Sequence, residues 1–216
     1  NKLKKKIKMR FVLTGGSGFV GNYLIKKLCY LYPDIAIHNL DINPRKPKIK
    51  IESGKQNLTN HLVDITNKGD LMKFKFDQDD VVFHLAAHIF HPQTPYRTKR
   101  KEYFEKLNVE GTKNILEEMN KNNVKRIAFL STCMVYGTPQ HKMMKTTHPL
   151  KPNGPYGSTK VKAEKLITDF GQAKQNKTLI YRPGLIAGPG RFGLLGKLFF
   201  LIKNNLPVPL IGSGNN

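Results

Sequence analysis

The stretch Thr14-Gly15-Gly16-Ser17-Gly18-Phe19-Val20-Gly21 decides the fold of this 216-residue chain. It follows the apolar run 9–13 and precedes a helical pattern over 22–31. A glycine-rich turn between a buried strand and a helix lets backbone amides approach a pyrophosphate, whose charge the helix N-terminus stabilises. The glycines fit two spacings, Gly16-x-Gly18-x-x-Gly21 and Gly15-x-x-Gly18-x-x-Gly21. The turn therefore predicts a dinucleotide site, with the pyrophosphate on the amides of 17–20.

An acidic residue stands where such a site needs one. The apolar stretch 35–40 ends in Asp41, about 20 residues after the last glycine, the spacing of a carboxylate that binds the adenosine ribose hydroxyls. This favours NAD over NADP. Two alternatives stay open: Asp41 could be a turn or helix-capping residue, and Arg45 could bind the 2′-phosphate of NADP.

A third strand, predicted over 60–63, ends in Asp64-Ile65. Parallel strands bring their carboxyl ends to one edge of a sheet, so Asp64 is a candidate partner for the adenine edge, with Ile65 beside it. Asp64 could equally cap the helix predicted near Lys68.

Composition limits the classes of protein that fit. With 39% hydrophobic residues the chain can bury one core, and its longest apolar stretch, 194–202, is far shorter than the ~20 residues of a membrane span. Cys29 and Cys133 offer neither a disulfide framework nor metal-ligand spacing. The segment 1–8 reads as a basic extension without the apolar region of a secretory signal. We expect an intracellular, cytoplasmic protein without a transmembrane segment, and leave an organelle open.

The formal net charge of +22 has two interpretations. It could form an electrostatic surface for nucleic acid, an anionic membrane or an acidic partner. However, the lysines are spread over helix faces and loops, and they cluster only at the N-terminus and in 97–101. No aromatic-interleaved RNA motif accompanies them. We favour a solvated basic surface and predict no specific nucleic-acid partner.

Strand and helix patterns alternate along the chain. Strands are predicted over 81–85, 126–131 and 178–182, and helices near 68–74, over 103–120 and over 156–173. Such alternation predicts a doubly wound parallel α/β sheet, the Rossmann fold. Proline and glycine become frequent after Arg182. We therefore predict a dinucleotide-binding domain over 9–183 and the start of a substrate-binding lobe over 184–216.

Candidate catalytic residues follow the fifth predicted strand. Tyr156 and Lys160 are one helical turn apart, so both side chains leave the same helix face. An ammonium beside a phenol favours the phenolate, which makes tyrosine a usable base. Thr132 could hydrogen-bond the substrate oxygen while a proton passes to Tyr156. Tyr23 and Lys27 share this spacing, but they lie in the helix after the glycine turn, where we expect a helix surface.

The chain resembles the extended short-chain dehydrogenase/reductases, also called the NAD-dependent epimerase/dehydratase family. The resemblance implies that Thr132, Tyr156 and Lys160 form a catalytic triad, with Lys160 also holding the nicotinamide ribose. It implies further that Leu85, Ala86 and Ala87 line the cofactor, and that 183–186, with Pro183 and Ile186, faces the nicotinamide. The motifs that carry it are 14–21, His84-Leu85-Ala86-Ala87-His88, Asn108-Val109-Glu110-Gly111-Thr112, Val135-Tyr136-Gly137, 156–160 and Arg182-Pro183-Gly184.

Within this family the chain looks most like the 3-beta-hydroxysteroid dehydrogenase branch, which oxidises secondary alcohols on sterol-like or other bulky apolar molecules. Nucleotide-sugar epimerases and dehydratases share most of the motifs and are the first alternative. A non-catalytic nucleotide-binding subunit of a larger assembly is the second. We expect a small-molecule substrate and a homodimer. A metal site at His84, His88 and His91 is not favoured, because no acidic or cysteine ligand accompanies them.

The last segment predicts an unfinished lobe. Residues 193–203 form a helical pattern that is apolar over most of its circumference, which is typical of a helix between layers of a core. We expect it to pack under the substrate lobe, with a strand over 206–211, and expect this chain to be part of a longer one.

Overall fold

The computed structural model describes residues 9–44, 57–90, 94–139, 143–173, 176–191 and 193–208. The chain divides into two compact units, Asn1–Gly184 and Leu185–Asn216. Each unit is described by itself below.

The first unit contains a six-stranded sheet. Its order is β3-β2-β1-β4-β5-β6, and every neighbouring pair is parallel. The chain thus starts in the middle, winds outward to β3, and returns to β4 on the other side of β1. This is the predicted doubly wound sheet, and its switch point lies between β1 and β4. The strands are β1 (Phe11–Thr14), β2 (Ile37–Asp41), β3 (Leu58–Leu62), β4 (Val81–His84), β5 (Arg126–Leu130) and β6 (Lys177–Tyr181).

Among the described residues, helices connect every pair of consecutive strands except β2 and β3. In the first unit these are α1 (Phe19–Leu31), α2 (Lys68–Leu71), α3 (Arg100–Glu105), α4 (Thr112–Lys121) and α5 (Pro155–Ala173), with short 3₁₀ turns at Arg97–Lys99 and Cys133–Tyr136. The second unit holds α6 (Gly193–Lys203). None of the described helices has the length and apolar content to cross a membrane.

The predicted single helix over 103–120 is wrong in detail. The structure has α3, then a π-helical segment Lys106–Gly111, then α4. A π turn widens the helix by one residue, and such turns are frequent at functional sites. Its inward-facing residues include Asn108, which is 1% exposed. The periodicity of the apolar residues alone does not distinguish this segment from an α-helix, because both leave the same residue types facing inward.

Alternate residues of each strand serve opposite faces of the sheet. Val12 and Val82 lie in a core cluster with Ile115 of α4 and Ile167 of α5. Phe11, Leu13 and Ile37 lie in a second cluster with Ile25 and Leu28 of α1. Both faces of the sheet are therefore covered, and the edge where the strands end remains for the site.

In the second unit, residues 206–208 are not in a strand. The rest of the predicted strand over 206–211 lies outside the described residues. The unfinished substrate lobe stays a prediction.

Candidate dinucleotide and catalytic site

The glycine turn lies against the segment that follows β4. Gly15 has φ +70°, and a Cβ atom there would lie 2.7 Å from the Cα of Ala86. A Cβ on Gly21 would lie 2.5 Å from the Cα of Gly16. Only glycine fits either contact, because real Cβ atoms do not approach backbone this closely and L side chains avoid positive φ. The turn is thereby fixed beside Leu85, Ala86 and Ala87.

The N-terminus of α1 opens onto this turn. Gly18 is the N-cap, and no side chain caps the helix. The first amides of a helix have no acceptor within it, so the amides of Phe19 and Val20 are the donors that a pyrophosphate would take.

Asp41 ends β2 beside the same turn. Its Oδ2 accepts a hydrogen bond from the Ser17 amide at 3.0 Å, and its Oδ1 accepts one from the Asn43 amide at 2.9 Å. The carboxylate is therefore both a turn residue and a neighbour of the glycine loop. In this arrangement the Ser17 amide is engaged by Asp41. Arg45, the alternative contact for a 2′-phosphate, lies outside the described residues.

A cavity of about 630 Å³ runs from the glycine turn past Asp41. Its volume lies within the range of small-molecule sites. The cradle left by Gly15, the N-terminal end of α1 and the volume of this cavity fit a dinucleotide. It is lined by the residues Gly15, Ser17, Gly18, Asn22, Leu40, Asp41, Ile42, Asn43, Val63, Asp64, Ile65, Thr66, Leu85, Ala86, Ala87, His88, Lys106 and Leu107.

Asp64 does not cap a helix. Its Oδ1 accepts hydrogen bonds from the amide and the hydroxyl of Thr66, both at 2.8 Å. The cap of α2 is Asn67, whose side chain accepts from the amides of Gly69 and Asp70. The alternative role of Asp64 as a cap is therefore wrong, and Asp64 with Ile65 lines the cavity.

Thr132 lies at the carboxyl end of β5 and begins the Cys133–Tyr136 turn, where its Oγ1 accepts from the Met134 amide at 3.3 Å. The Cys133 amide donates to the Pro183 carbonyl at 2.8 Å, which brings the end of β6 beside Thr132. The neighbouring hydroxyl of Ser131 donates to Glu164 Oε1 at 2.5 Å inside the core. Of the two adjacent hydroxyls, Thr132 is thus the one that can serve a substrate.

Tyr156 lies in the first turn of α5, at the same edge of the sheet. Its ring centroid is 5.7 Å from that of Phe104 and 6.2 Å from that of Phe90. By contrast, Tyr23 lies on α1 with 39% of its surface exposed, and its ring contacts Phe19. The equal spacing to a lysine therefore occurs once at the strand ends and once on a helix surface.

Lys160 is 1% exposed. Its Nζ donates to the Leu130 carbonyl at 2.7 Å and lies 4.0 Å from the centroid of the Phe129 ring. Burial lowers the pKa of Lys160 from 10.5 to about 7, against the attraction of Glu164. The ammonium is held by a carbonyl and an aromatic face, so its charge is sensitive to its neighbours.

His84 is a buried residue whose role the sequence did not indicate. Thr112 Oγ1 donates to the Asn108 carbonyl, so it accepts from His84 Nε2 at 2.9 Å. His84 Nδ1 then accepts from the Thr14 hydroxyl at 2.6 Å. The Ala86 amide in turn donates to Thr14 Oγ1 at 3.3 Å. The hydrogen bonds thus form one directed chain from the cofactor-lining segment to the π-helical segment.

This arrangement also bears on a metal site. Both ring nitrogens of His84 are engaged, and burial with the charge of Lys160 lowers its pKa to about 3. In the part of the chain that the structure describes, no group of three histidine, cysteine or acidic residues could hold a metal ion. His91 lies outside that part.

Asn108 holds the segment after β4 to α5. Its Oδ1 accepts from the His88 amide at 2.8 Å, and its Nδ2 donates to the His88 carbonyl and to Thr159 Oγ1. Thr159 donates to the Tyr156 carbonyl at 2.8 Å. The amide of one residue therefore links the cofactor-lining segment to the turn that carries Tyr156. The signal for this role in the sequence was an asparagine within the predicted helix over 103–120.

Comparison with known proteins identifies the family of this chain. A model of the "NAD dependent epimerase/dehydratase family" matches residues 11–216. The chain belongs to this family. The family is NAD-dependent, as its name states. Ile186, predicted to face the nicotinamide, lies in the second unit, and its role stays a prediction.

Individual members of the family are similar over most of this chain. UDP-glucose 4-epimerase 2 of Oryza sativa subsp. japonica is 30% identical over 90% of this chain and 49% of its own length. The 3beta-hydroxysteroid-dehydrogenase/decarboxylase isoform 2 of Arabidopsis thaliana is 28% identical over 95% of this chain and 37% of its own. The chain thus spans half or less of the length of these two relatives.

A solved structure shows the same fold. The dTDP-glucose 4,6-dehydratase of Bacillus anthracis, in complex with NAD, superposes with a TM-score of 0.76 at 24% identity. The match covers 96% of this chain and 66% of that one.

Proposed function

We propose that the protein is an NAD-dependent enzyme that oxidises a secondary hydroxyl of a nucleotide sugar and reduces the resulting ketone, the net reaction of a 4-epimerase. One observation carries the proposal: Thr132 follows β5, and Tyr156 and Lys160 lie in the first two turns of α5, at the carboxyl edge of the sheet that also bears the dinucleotide cavity. A bound nicotinamide would supply a two-electron hydride acceptor and donor.

Thr132, Tyr156 and Lys160 have different roles in the proton transfer. The Thr132 hydroxyl holds the substrate oxygen, and the Tyr156 phenolate takes its proton as hydride leaves the carbon. The Lys160 ammonium favours the phenolate, and the return step uses the same proton on Tyr156.

The choice of substrate rests on the relatives. UDP-glucose 4-epimerase 2 is the more similar of the two relatives above, which favours a nucleotide sugar. The similarity to a 3beta-hydroxysteroid-dehydrogenase/decarboxylase keeps a sterol-like alcohol as the second candidate.

A dehydratase is less well supported. Loss of water beside a ketone needs an acid and a base in addition to the hydride-transfer residues. Cys133 and Met134 follow Thr132 directly, and neither carries a carboxylate. Epimerisation needs no further acid or base than Tyr156.

The test compares matched tyrosine variants. We expect interconversion of UDP-glucose and UDP-galactose by the full-length protein, and a loss of about 10² to 10⁴ in kcat for Tyr156→Phe with NADH affinity nearly unchanged. Tyr23→Phe, with the same spacing to a lysine, should keep wild-type kcat. NAD reduction by a 3β-hydroxysterol with inert UDP-sugars would select the second candidate. Full activity of Tyr156→Phe would reject the mechanism.

A further inference from the structure

A buried ionic cluster lies one helical turn beyond Lys160. Glu164 is 3% exposed, and Arg182 binds it with two nitrogens: Nε donates to Oε1 at 2.9 Å and Nη2 donates to Oε2 at 2.7 Å. The Ser131 hydroxyl is a third donor to this carboxylate. The pairing raises the pKa of Arg182 above its usual value, so the guanidinium stays charged.

The cluster joins several elements at the reactive edge of the sheet. Ser131 follows β5 directly, Glu164 belongs to α5, and Arg182 follows β6. Arg182 Nη1 also donates to the Tyr136 hydroxyl at 2.8 Å and to the Thr146 carbonyl at 3.0 Å. The same ion pair therefore fixes the turn that begins at Thr132 and the loop that precedes α5.

Two successive turns of α5 form hydrogen bonds with two successive residues at the end of β5. Lys160 donates to the Leu130 carbonyl, and Glu164 accepts from Ser131. Thr132 is the next residue, and Tyr156 lies one turn before Lys160. A shift of α5 along the strand would break both contacts and change the separation of Thr132 and Tyr156.

We propose that Glu164 and Arg182 are positioning residues that latch α5 to the ends of β5 and β6, and so hold Tyr156 and Lys160 in register with Thr132. This rests on the proposed function, because it takes those three residues as the reacting set. The latch also places a negative charge near Lys160.

The charge has a predicted consequence for pH dependence. The titratable groups that interact with Lys160 are Glu164 on α5 and His84 on β4, with Arg182 paired to Glu164, and Tyr156 lies one helical turn before Lys160 on α5. His84 is neutral, so Glu164 is the anion that favours the ammonium. Without it Lys160 loses its proton at lower pH, and the Tyr156 phenolate loses its stabilising charge.

The experiment uses Glu164→Gln in the full-length protein with NAD and UDP-glucose. We expect kcat to fall about tenfold or more, the apparent pKa on the acid side of the pH profile to rise by about one unit, and NADH affinity to stay near wild type. Arg182→Met should act in the same direction. A loss of NADH binding equal to the loss of kcat would overturn the proposal.

A matched control separates positioning from simple stability. Arg10 binds the buried Asp80 with Nε to Oδ1 at 2.7 Å and Nη2 to Oδ2 at 2.8 Å, just before β1 and β4, at the opposite edge of the sheet. Asp80→Asn should lower Tm comparably, because it too leaves an unpaired cation. Its pH profile should remain that of the wild type. Equal pH profiles for the two variants would overturn the latch.

Two further variants keep the outcome readable. If Glu164→Gln does not fold, Ser131→Ala removes only the hydroxyl donor and should give a smaller fall in kcat at wild-type NADH affinity; an unchanged kcat would count against the latch. Tyr156→Phe tests the parent proposal separately. An inactive Tyr156→Phe with a fully active Glu164→Gln rejects the latch alone, whereas an active Tyr156→Phe rejects the proposed function as well.

Discussion

The Lys160 ammonium lies 4.0 Å from the centre of the Phe129 ring and is buried. A cation over an aromatic face recovers part of the hydration energy that burial removes. The remainder appears as a lowered pKa, so burial of this lysine has a cost in stability.

The lowered pKa of Lys160 predicts a pH-dependent stability. The folded-state pKa is about 7 and the ordinary value is 10.5, so between these limits the unfolded state binds more protons at this residue. Stability from this group therefore rises with pH across that window. Lys160→Met should remove this rise. Urea unfolding of the wild type and of Lys160→Met from neutral to alkaline pH measures the free energy of unfolding. Parallel plots of this free energy against pH would contradict the lowered pKa of Lys160.

The lowered pKa of His84 predicts a loss of stability at acid pH. Its pKa is lowered from 6.5 to about 3 in the folded protein, so the unfolded state binds more protons between those values. Stability from this group is complete above pH 6.5 and falls as the pH approaches 3. We expect His84→Gln, which keeps one acceptor and one donor, to flatten the acid side of the stability curve. A variant that unfolds with the wild-type acid slope would show that His84 is not the titrating group.

Gly15 in the glycine turn and Gly154 before α5 are a matched pair for substitution by alanine. Their φ angles are +70° and +86°, but a Cβ on Gly15 would meet Ala86 while one on Gly154 would meet nothing within 4 Å. Gly154→Ala should cost only the backbone strain, about 1–2 kcal/mol. Gly15→Ala should cost more and abolish NADH binding. Thermal unfolding and calorimetric titration with NADH test both, and equal effects of the two substitutions would refute the contact with Ala86.

Asp41 predicts the choice of cofactor. A carboxylate at the end of β2 favours the ribose hydroxyls and repels a 2′-phosphate. Calorimetry should show tighter binding of NADH than of NADPH, and Asp41→Ala should narrow the difference. The variant also removes the acceptor of the Ser17 amide, so NADH affinity itself should fall. Tighter binding of NADPH by the wild type would transfer the role to Arg45.

The sequence predicted the elements that repeat a local pattern. The glycine turn, the acid after β2 and the alternation of strands and helices were sufficient for the doubly wound sheet, because backbone sterics and the period of burial act over a few residues. The predicted helix over 103–120 failed where the π-helical segment begins, since a segment of six residues is too short to show a different period of burial.

Only the tertiary structure decided how the polar groups are shared. Ser131 and Thr132 are adjacent hydroxyls, and the one is engaged by Glu164 while the other remains at the site. The sequence allowed Asp64 as the cap of α2, whereas in the structure Asn67 is the cap. His84 and Asn108 acquired their partners from residues on other elements. A buried donor or acceptor must find its partner in space. The spacing of residues along the chain therefore determined the fold and the candidate site, and contacts between distant segments determined which groups remain available to react.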